Sequence, residues 1–450
     1  MKNITIGKYT LESLTTGMYV DPLVIFREYI QNAADAIDEA VKSKLISISE
    51  GYINIELDKK NSKIIIEDNG SGITKERAFQ ILTDIGNSKK RFKSNKGFRG
   101  IGRLSGLSYC NKLIFETSAI GQVEKSILTF DSIQLAKLLV PGEYEEYGME
   151  EVLKKITQIS YEEEDVNKHY FRVIMEGVSS QFNLLDDEKV CDYIEQVAPL
   201  PYDKNKFKFA DKINQKLASL NIECHEYNIF IIEGMFKKQL FKPYKELNLV
   251  DLKKRLPDQI TDVIMHEIWD DAKDKLVAVV WYGKNSLMGT IVEENIKALR
   301  VRKAGILIGD RFLLNEVFKE ERFNGWVLGE VIIVDEDIIP NARRDDFEKN
   351  EEYLFLMKRL QIIGSEISHS IRKASKNRNL VEVKEKNTEK TIRQKNEGSS
   401  RNQGNVFKKV DQLLLKIESR KQILSKINSV MRANNIDDDL RKKIISELMR

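Results

Sequence analysis

The sequence predicts an α+β fold for its first 200 or so residues, then an α/β domain, then a helical tail. Three observations predict it. The segment FREYIQNAADAIDEAVKS repeats apolar residues at helical spacing, two isoleucine-rich runs of strand character follow it directly, and a polar stretch near residue 377 sets off what lies beyond.

In the first segment Ile30, Ala33, Ala34, Ile37 and Val41 fall three or four residues apart, which places them on one face of a helix. The runs Tyr52 to Leu57 and Lys63 to Glu67, joined by the polar DKKNS, read as a hairpin. Leu113 to Thr117 and Phe171 to Met175 supply further strands. A second region, about 201–376, mixes strands at Tyr227 to Ile232, Leu276 to Trp281, Gly305 to Ile308 and Val331 to Val334 with helical stretches. It ends in a helix expected from about Asp345 to Lys376. Residues 377–405 are Asn, Lys, Glu, Ser and Gln with almost no apolar side chain, the composition of a disordered linker. In 406–450, Val410, Leu413, Leu414, Ile417, Leu424, Ile427 and Met431 form an apolar stripe, the mark of an amphipathic helix that packs on its own chain or pairs as a dimerisation segment.

Composition bounds the class. With 450 residues, 41% apolar and 32% charged, the chain is long enough for two or three domains, and a formal net charge of +3 gives no global argument for nucleic acid or membrane. Cys110, Cys191 and Cys224 form no CxxC pair, which argues against a zinc ribbon or disulfide framework. The N-terminal stretch lacks a signal-peptide core and no run approaches a spanning helix, so a cytoplasmic protein is expected. His169, His225, His266 and His369 are isolated, without metal spacing, and Trp269, Trp281 and Trp326 are expected in the core.

Three constellations carry chemistry. In REYIQNAADA, Glu28 and Asn32 lie one turn apart with Asp35 beside them, so one side of a helix offers a carboxylate, an amide and a second carboxylate. A carboxylate can deprotonate a water and an amide oxygen can complete a Mg²⁺ shell, although the same residues also suit a solvated helix face. In IIIEDNGSGI, Asp68 ends a strand and Gly70 and Gly72 follow. The acid can accept from an exocyclic amine and the glycines let backbone approach a flat ring, although Asp-Asn-Gly is also a simple turn. In GNSKKRFKSNKGFRGIGRLSGL, Gly97, Gly100, Gly102 and Gly106 stand among lysines and arginines before a helix-compatible segment, which suits an anion site or an exposed loop. No GK[ST] follows, so this is not a Walker A loop.

The order ExxxN on a helix, DxGxG after a strand and a glycine-rich GxxGxG resembles the N, G1 and G2 boxes of the GHKL ATPases, which join gyrase, the heat-shock protein 90 chaperones, histidine kinases and MutL. FREYIQNAADAIDEA is most similar to the heat-shock protein 90 (HtpG-like) branch. The resemblance covers about 180 residues and implies a Bergerat-type ATP-binding sandwich, helices on a mixed sheet, within residues 1–200. It further implies ATP and Mg²⁺ as ligands, with Glu28 activating the attacking water, Asn32 holding Mg²⁺ and Asp35 near the sugar and phosphates. Asp68 would receive the adenine amine beside Gly70, Gly72 and Ile73. Gly100, Ile101, Gly102 and Arg103 would cradle the phosphates, and Asn87 with Lys89 to Lys96 would belong to a lid. Two departures stand out: Arg103 occupies a position that is usually aromatic, and Tyr170 and Phe171 replace a usual Gly-Thr, leaving Thr117 as the hydroxyl to compensate.

In the second region DEDIIPNARRDDFE is similar to the transducer loop by which such proteins present a cation to the γ-phosphate. Arg343 or Arg344 is expected in that role, with Lys303 next, unless the arginines pair with Asp345, Asp346 and Glu348. The resemblance thus implies a dimeric clamp that hydrolyses ATP and acts on protein clients or a partner subunit. The alternative is a DNA-associated clamp of MutL or MORC type, a component of a bacterial defence system for instance, to which the lysine-rich stretch from Arg372 to Lys395 lends support. No phosphoacceptor histidine helix precedes the ATP-binding segment, against a histidine kinase.

Overall fold

The computed structural model describes residues 6–15, 21–84, 102–223, 226–251 and 253–397. Residues 1–374 form one compact unit and 375–450 a second. Asn87, Gly100, Ile101, the basic stretch Lys89 to Lys96 and the helical tail 406–450 lie outside the described residues.

The chain opens with helices α1 (Tyr9–Thr15) and α2 (Val24–Lys42), then strands β1 (Tyr52–Asp58) and β2 (Lys63–Asp68) and helix α3 (Lys75–Thr83). A 3-10 segment, Gly102–Ser108, leads into β3 (Lys112–Ser118), β4 (Glu124–Asp131), α4 (Ser132–Leu138), α5 (Met149–Ile156), β5 (Thr157–Glu163) and β6 (Tyr170–Glu176). Helices α6 (Asp187–Val197) and α7 (Ala210–Ser219) precede β7 (Asn228–Glu233) and β8 (Phe236–Gln239). These eight strands make one mixed sheet in the order β5-β4-β3-β6-β2-β1-β7-β8, antiparallel throughout except where β1 runs parallel to β7. The α+β class read from the sequence is the class observed.

Alternation builds this sheet. Ile53, Ile55 and Leu57 of β1 and Ile64, Ile66 and Asp68 of β2 point inward, so one carboxylate occupies an otherwise apolar row. Ile25, Phe26, Tyr29, Ile30, Ala33, Ala34 and Ile37 of α2 close the same core. The hairpin β7–β8 adds to the sheet from beyond residue 200, and Leu240 shares its core, so no break falls at the boundary expected there. Local pattern marks strands but not their partners, and a parallel pair needs a long crossover that sequence order conceals.

The second sheet follows from β9 (Leu247–Val250), β10 (Leu256–Gln259), β11 (Asp262–Trp269), β12 (Leu276–Lys284), β13 (Ala298–Lys303), β14 (Ile306–Ile308) and β15 (Leu328–Ile333). Its order is β11-β12-β15-β13-β14, while β9 and β10 pair separately. Trp281, Tyr202, Phe207 and Tyr244 pack at its heart, Trp281 fully buried. Among them sits the buried carboxylate of Glu330, held by Arg302, by Lys242 at 3.1 Å and by the hydroxyls of Tyr202 and Tyr244 at 3.0 and 3.2 Å. Arg302 also donates to the carbonyls of Gln196 and Ala198 at the C-terminal end of α6, which fastens this sheet to the preceding helix.

Helix α8 (Glu351–Glu397) buries Tyr353, Leu356, Leu360, Ile363, Ile367 and Ile371 against the second sheet. It starts later than Asp345, because residues 340–347 close a loop through a Pro340–Phe347 bridge and Asn350 caps the helix by accepting from the Tyr353 amide. It also continues to Glu397, where a disordered linker from 377 was expected. Between 377 and 397 there is no proline or glycine, and long unbranched side chains lose little freedom in a helix. Propagation from a packed first half then costs little, even without an apolar face. Among the described residues no helix is long and apolar enough to cross a membrane.

Candidate nucleotide site on helix α2

Helix α2 is the spine of the site. Glu28, Asn32 and Ala36, each four residues on, form a line along one face, about 12 Å from first to last. At the Ala36 end the G1 turn is pressed onto the helix. A Cβ built on Gly70 would lie 2.6 Å from the backbone and Cβ of Ala36, and the Ser71 amide donates to the Ala36 carbonyl at 3.1 Å. Only glycine permits that approach.

Asp68, buried with 3% exposure, accepts the Gly70 amide at 2.9 Å. Gly72 adopts φ +63°, and a Cβ there would stand 1.8 Å from the Ser118 carbonyl oxygen. The Ile73 amide donates to Thr117 Oγ1 at 2.9 Å, and that hydroxyl donates to the Tyr170 carbonyl at 2.9 Å. Thr117 thus holds the turn after Asp68. In the β2–β6 register Phe171 stands directly opposite Asp68.

At the Glu28 end the 3-10 segment arrives. A Cβ on Gly102 would lie 2.2 Å from Glu28 Oε2, so the glycine of the third motif abuts the carboxylate of the first. Tyr29, one residue on, pins that segment: its hydroxyl donates to the Arg103 carbonyl at 3.1 Å and accepts the Gly106 amide at 3.0 Å. Burial lowers the Arg103 guanidinium pKa against the pull of Asp84, and no described residue hydrogen-bonds its buried Nη1. The Asn32 amide is half-buried and likewise has no described partner. Asp35 is buried, with Tyr227 within electrostatic reach.

The loop carrying Arg343 and Arg344 also reaches this end. Arg27 Nη2 lies 3.2 Å from Glu28 Oε1 and donates to the Arg343 carbonyl at 2.9 Å, tying α2 to the loop. Asp345 accepts from the Asn341 amide and Asp346 pairs with Lys349, while the exposed Arg343 guanidinium pairs with no described residue. Arg344 has φ +57° and its carbonyl accepts the Gly309 amide. Lys303 is spent elsewhere: its ammonium donates to the carbonyls of Asp335, Glu336 and Ile338, and burial lowers its pKa to about 8.

Spacing alone did not single out Arg27, Tyr29 or His169, while Thr117 was expected as the hydroxyl that the family resemblance left to compensate. Arg27 and Tyr29 flank Glu28 and read as helix surface and core, while His169 enters from the β5–β6 connection far along the chain, which no local pattern reveals.

A helix lined with a carboxylate and an amide, met at one end by a glycine-rich segment and at the other by a strand-end acid and its glycine turn, defines an ATPase domain of the GHKL superfamily. Residues 23–168 match the family described as Histidine kinase-, DNA gyrase B-, and HSP90-like ATPase. The chain is similar to relatives that include chaperones of the HtpG-like branch. It is 28% identical over 165 residues to the chaperone protein HtpG of Alkaliphilus metalliredigens, covering 33% of this chain and 26% of that one. It is 31% identical over 130 residues to the HtpG of Acinetobacter baylyi, covering 25% and 20%. An endoplasmin homolog of Leishmania donovani is 30% identical over 106 residues, covering 21% and 14%. The chain therefore spans about a quarter of the HtpG chaperones it matches.

Proposed function

We propose that this chain binds ATP along α2 and hydrolyses it to drive a conformational switch, acting as a chaperone-like dimeric clamp on protein clients in the cytoplasm. One observation carries the reading: Gly102 abuts Glu28 and Gly70 abuts Ala36, so two stretches far apart in sequence meet one face of α2. In this reading Asp68 accepts the adenine amine and Ile73 lies against the ring. Glu28 orients and deprotonates the attacking water. Asn32 offers its amide oxygen to Mg²⁺, which neutralises phosphate charge. The backbone of Gly100, Ile101 and Gly102 and the Arg103 cation hold the phosphates, with Asp35 near the sugar and Asn87 in the lid. Arg343, whose guanidinium has no described ion pair, is the cation that stabilises charge on the transferred phosphoryl group, with Arg344 beside it.

One buried donor supports this reading. Arg103 Nη1 is buried with no described hydrogen-bond partner, and a buried polar atom left so is the exception in folded proteins. The test is steady-state phosphate release and calorimetric ATP binding for wild type, Glu28→Ala and Asp68→Asn, with an unfolded protein client or duplex DNA added. Glu28→Ala should bind ATP and release almost no phosphate, while Asp68→Asn should not bind. Stimulation by client supports a chaperone, and salt-dependent stimulation by DNA points to the MutL or MORC kind of clamp instead. Equal turnover in all three proteins ends the mechanism.

A further inference from the structure

The turn after β2 is tied down by hydrogen bonds. Asn69 bridges the Tyr52 amide and the Glu50 carbonyl at 2.8 and 2.9 Å, and the amides of Gly70, Ser71 and Ile73 go to Asp68, to the Ala36 carbonyl and to Thr117. The carbonyl of the buried Gly70 needs a donor. It receives one from outside the motif: His169 Nδ1, in the β5–β6 connection, lies 2.8 Å from it. A carbonyl only accepts, so Nδ1 carries the proton.

We infer that His169 is a positioning residue for adenine recognition, holding the Gly70 peptide so that the Asp68 carboxylate faces the base. The two peptides that meet at Gly70 are both fixed: the Asn69–Gly70 peptide by its N–H on Asp68, and the Gly70–Ser71 peptide by its C=O on His169 and by the Ser71 N–H on the Ala36 carbonyl. Rotation of the Gly70–Ser71 peptide about the Gly70 Cα would let the turn shift, draw the Gly70 N–H off the carboxylate and release Asp68 from its aim. Ala36, packed so close to Gly70 that a Cβ added there would lie 2.6 Å from it, limits compensation by a shift of the turn toward α2. Sequence places His169 about 100 positions from the turn it fastens, next to Tyr170, whose carbonyl anchors Thr117. The last residue of the β5–β6 connection and the first of β6 thus grip both halves of the turn, the second through Thr117.

This inference rests on the assignment of Asp68 to the adenine amine, and the experiment separates the two. Full-length His169→Ala, His169→Asn and His169→Gln are titrated with adenosine 5′-(β,γ-imido)triphosphate by calorimetry, and their ATP turnover and thermal midpoints are measured. The amide nitrogen of asparagine stands where Nδ1 stands, whereas that of glutamine reaches one carbon further. His169→Ala should weaken binding roughly 2- to 10-fold, the worth of one neutral hydrogen bond, with KM rising and kcat at saturation unchanged. His169→Asn should restore affinity to within about twofold on that same scale, and His169→Gln should not. Loss of stability alone would lower the midpoints without sorting asparagine from glutamine in affinity, and that result overturns the inference. So does His169→Ala binding as tightly as wild type, or a fall in kcat with KM unmoved. Wild type that binds no nucleotide removes the ATP reading together with this one, whereas wild type that binds while all three variants match it removes this one alone.

Discussion

Gly102→Ala isolates the contact between the phosphate segment and Glu28. Gly102 does not have a positive φ, so alanine suits its backbone, and the only new feature is a methyl group 2.2 Å from Glu28 Oε2. Non-bonded heavy atoms rest about 3.5 Å apart, so the carboxylate must retreat by more than about 1 Å. A misplacement of that size in a group acting on the reacting water costs on the order of 100-fold in rate, or about 2.7 kcal/mol of barrier. Asp68 and the G1 turn lie two helical turns away and are untouched, so ATP affinity should stay within a few fold. Single-turnover phosphate release and calorimetric binding read the two effects separately. The double variant with Glu28→Ala decides the cause. If the methyl group acts through the carboxylate, adding it to Glu28→Ala slows the reaction no further. Additive losses, or a single variant with wild-type kcat, would refute the placement of Glu28 at the reacting end.

Gly72→Ala should remove the base end instead, because the left-handed backbone costs an alanine about 1–2 kcal/mol before its methyl group meets the Ser118 carbonyl. A lowered melting temperature that ATP no longer raises is the expected outcome. Arg27→Ala should slow single-turnover hydrolysis roughly tenfold, the worth of a charge-assisted hydrogen bond, since Arg27 bridges Glu28 and the Arg343 carbonyl; an unchanged rate would detach the loop from catalysis. Burial alone would raise the Glu330 carboxyl, but Arg302 and Lys242 outweigh it and hold the group at about 2. Its folded pKa thus lies below the unfolded value near 4.3. The stability this contributes is fully present above that pH and is lost as pH falls toward 2, on the order of 3 kcal/mol. Denaturant titrations from pH 6 to 2.5 on wild type and Glu330→Gln check it: the variant should start several kcal/mol weaker and lose less on acidification.

Much of this was legible in the chain itself. The helical repeat of α2, the alternation of β1 and β2 and the three motifs around Glu28, Asp68 and Gly102 are written in residues close in sequence, because side-chain period and turn chemistry are local properties. The inward face of Asp68 follows from the same alternation. The amphipathic start of α8 was visible too, but its extension to Glu397 was not, since composition shows the lack of a packing face and not the propensity of unbranched side chains to stay helical.

Tertiary structure alone decided what meets the motifs. That Gly102 presses on Glu28, that Arg27 reaches the Arg343 carbonyl and that His169 and Thr117 hold the turn after Asp68 depend on strand order and on a crossover joining β1 to β7. Such contacts join residues whose separation along the chain carries no periodic signal. Their partners are chosen by burial and by the demand that each buried polar group find a mate, conditions satisfied only once the whole core has closed.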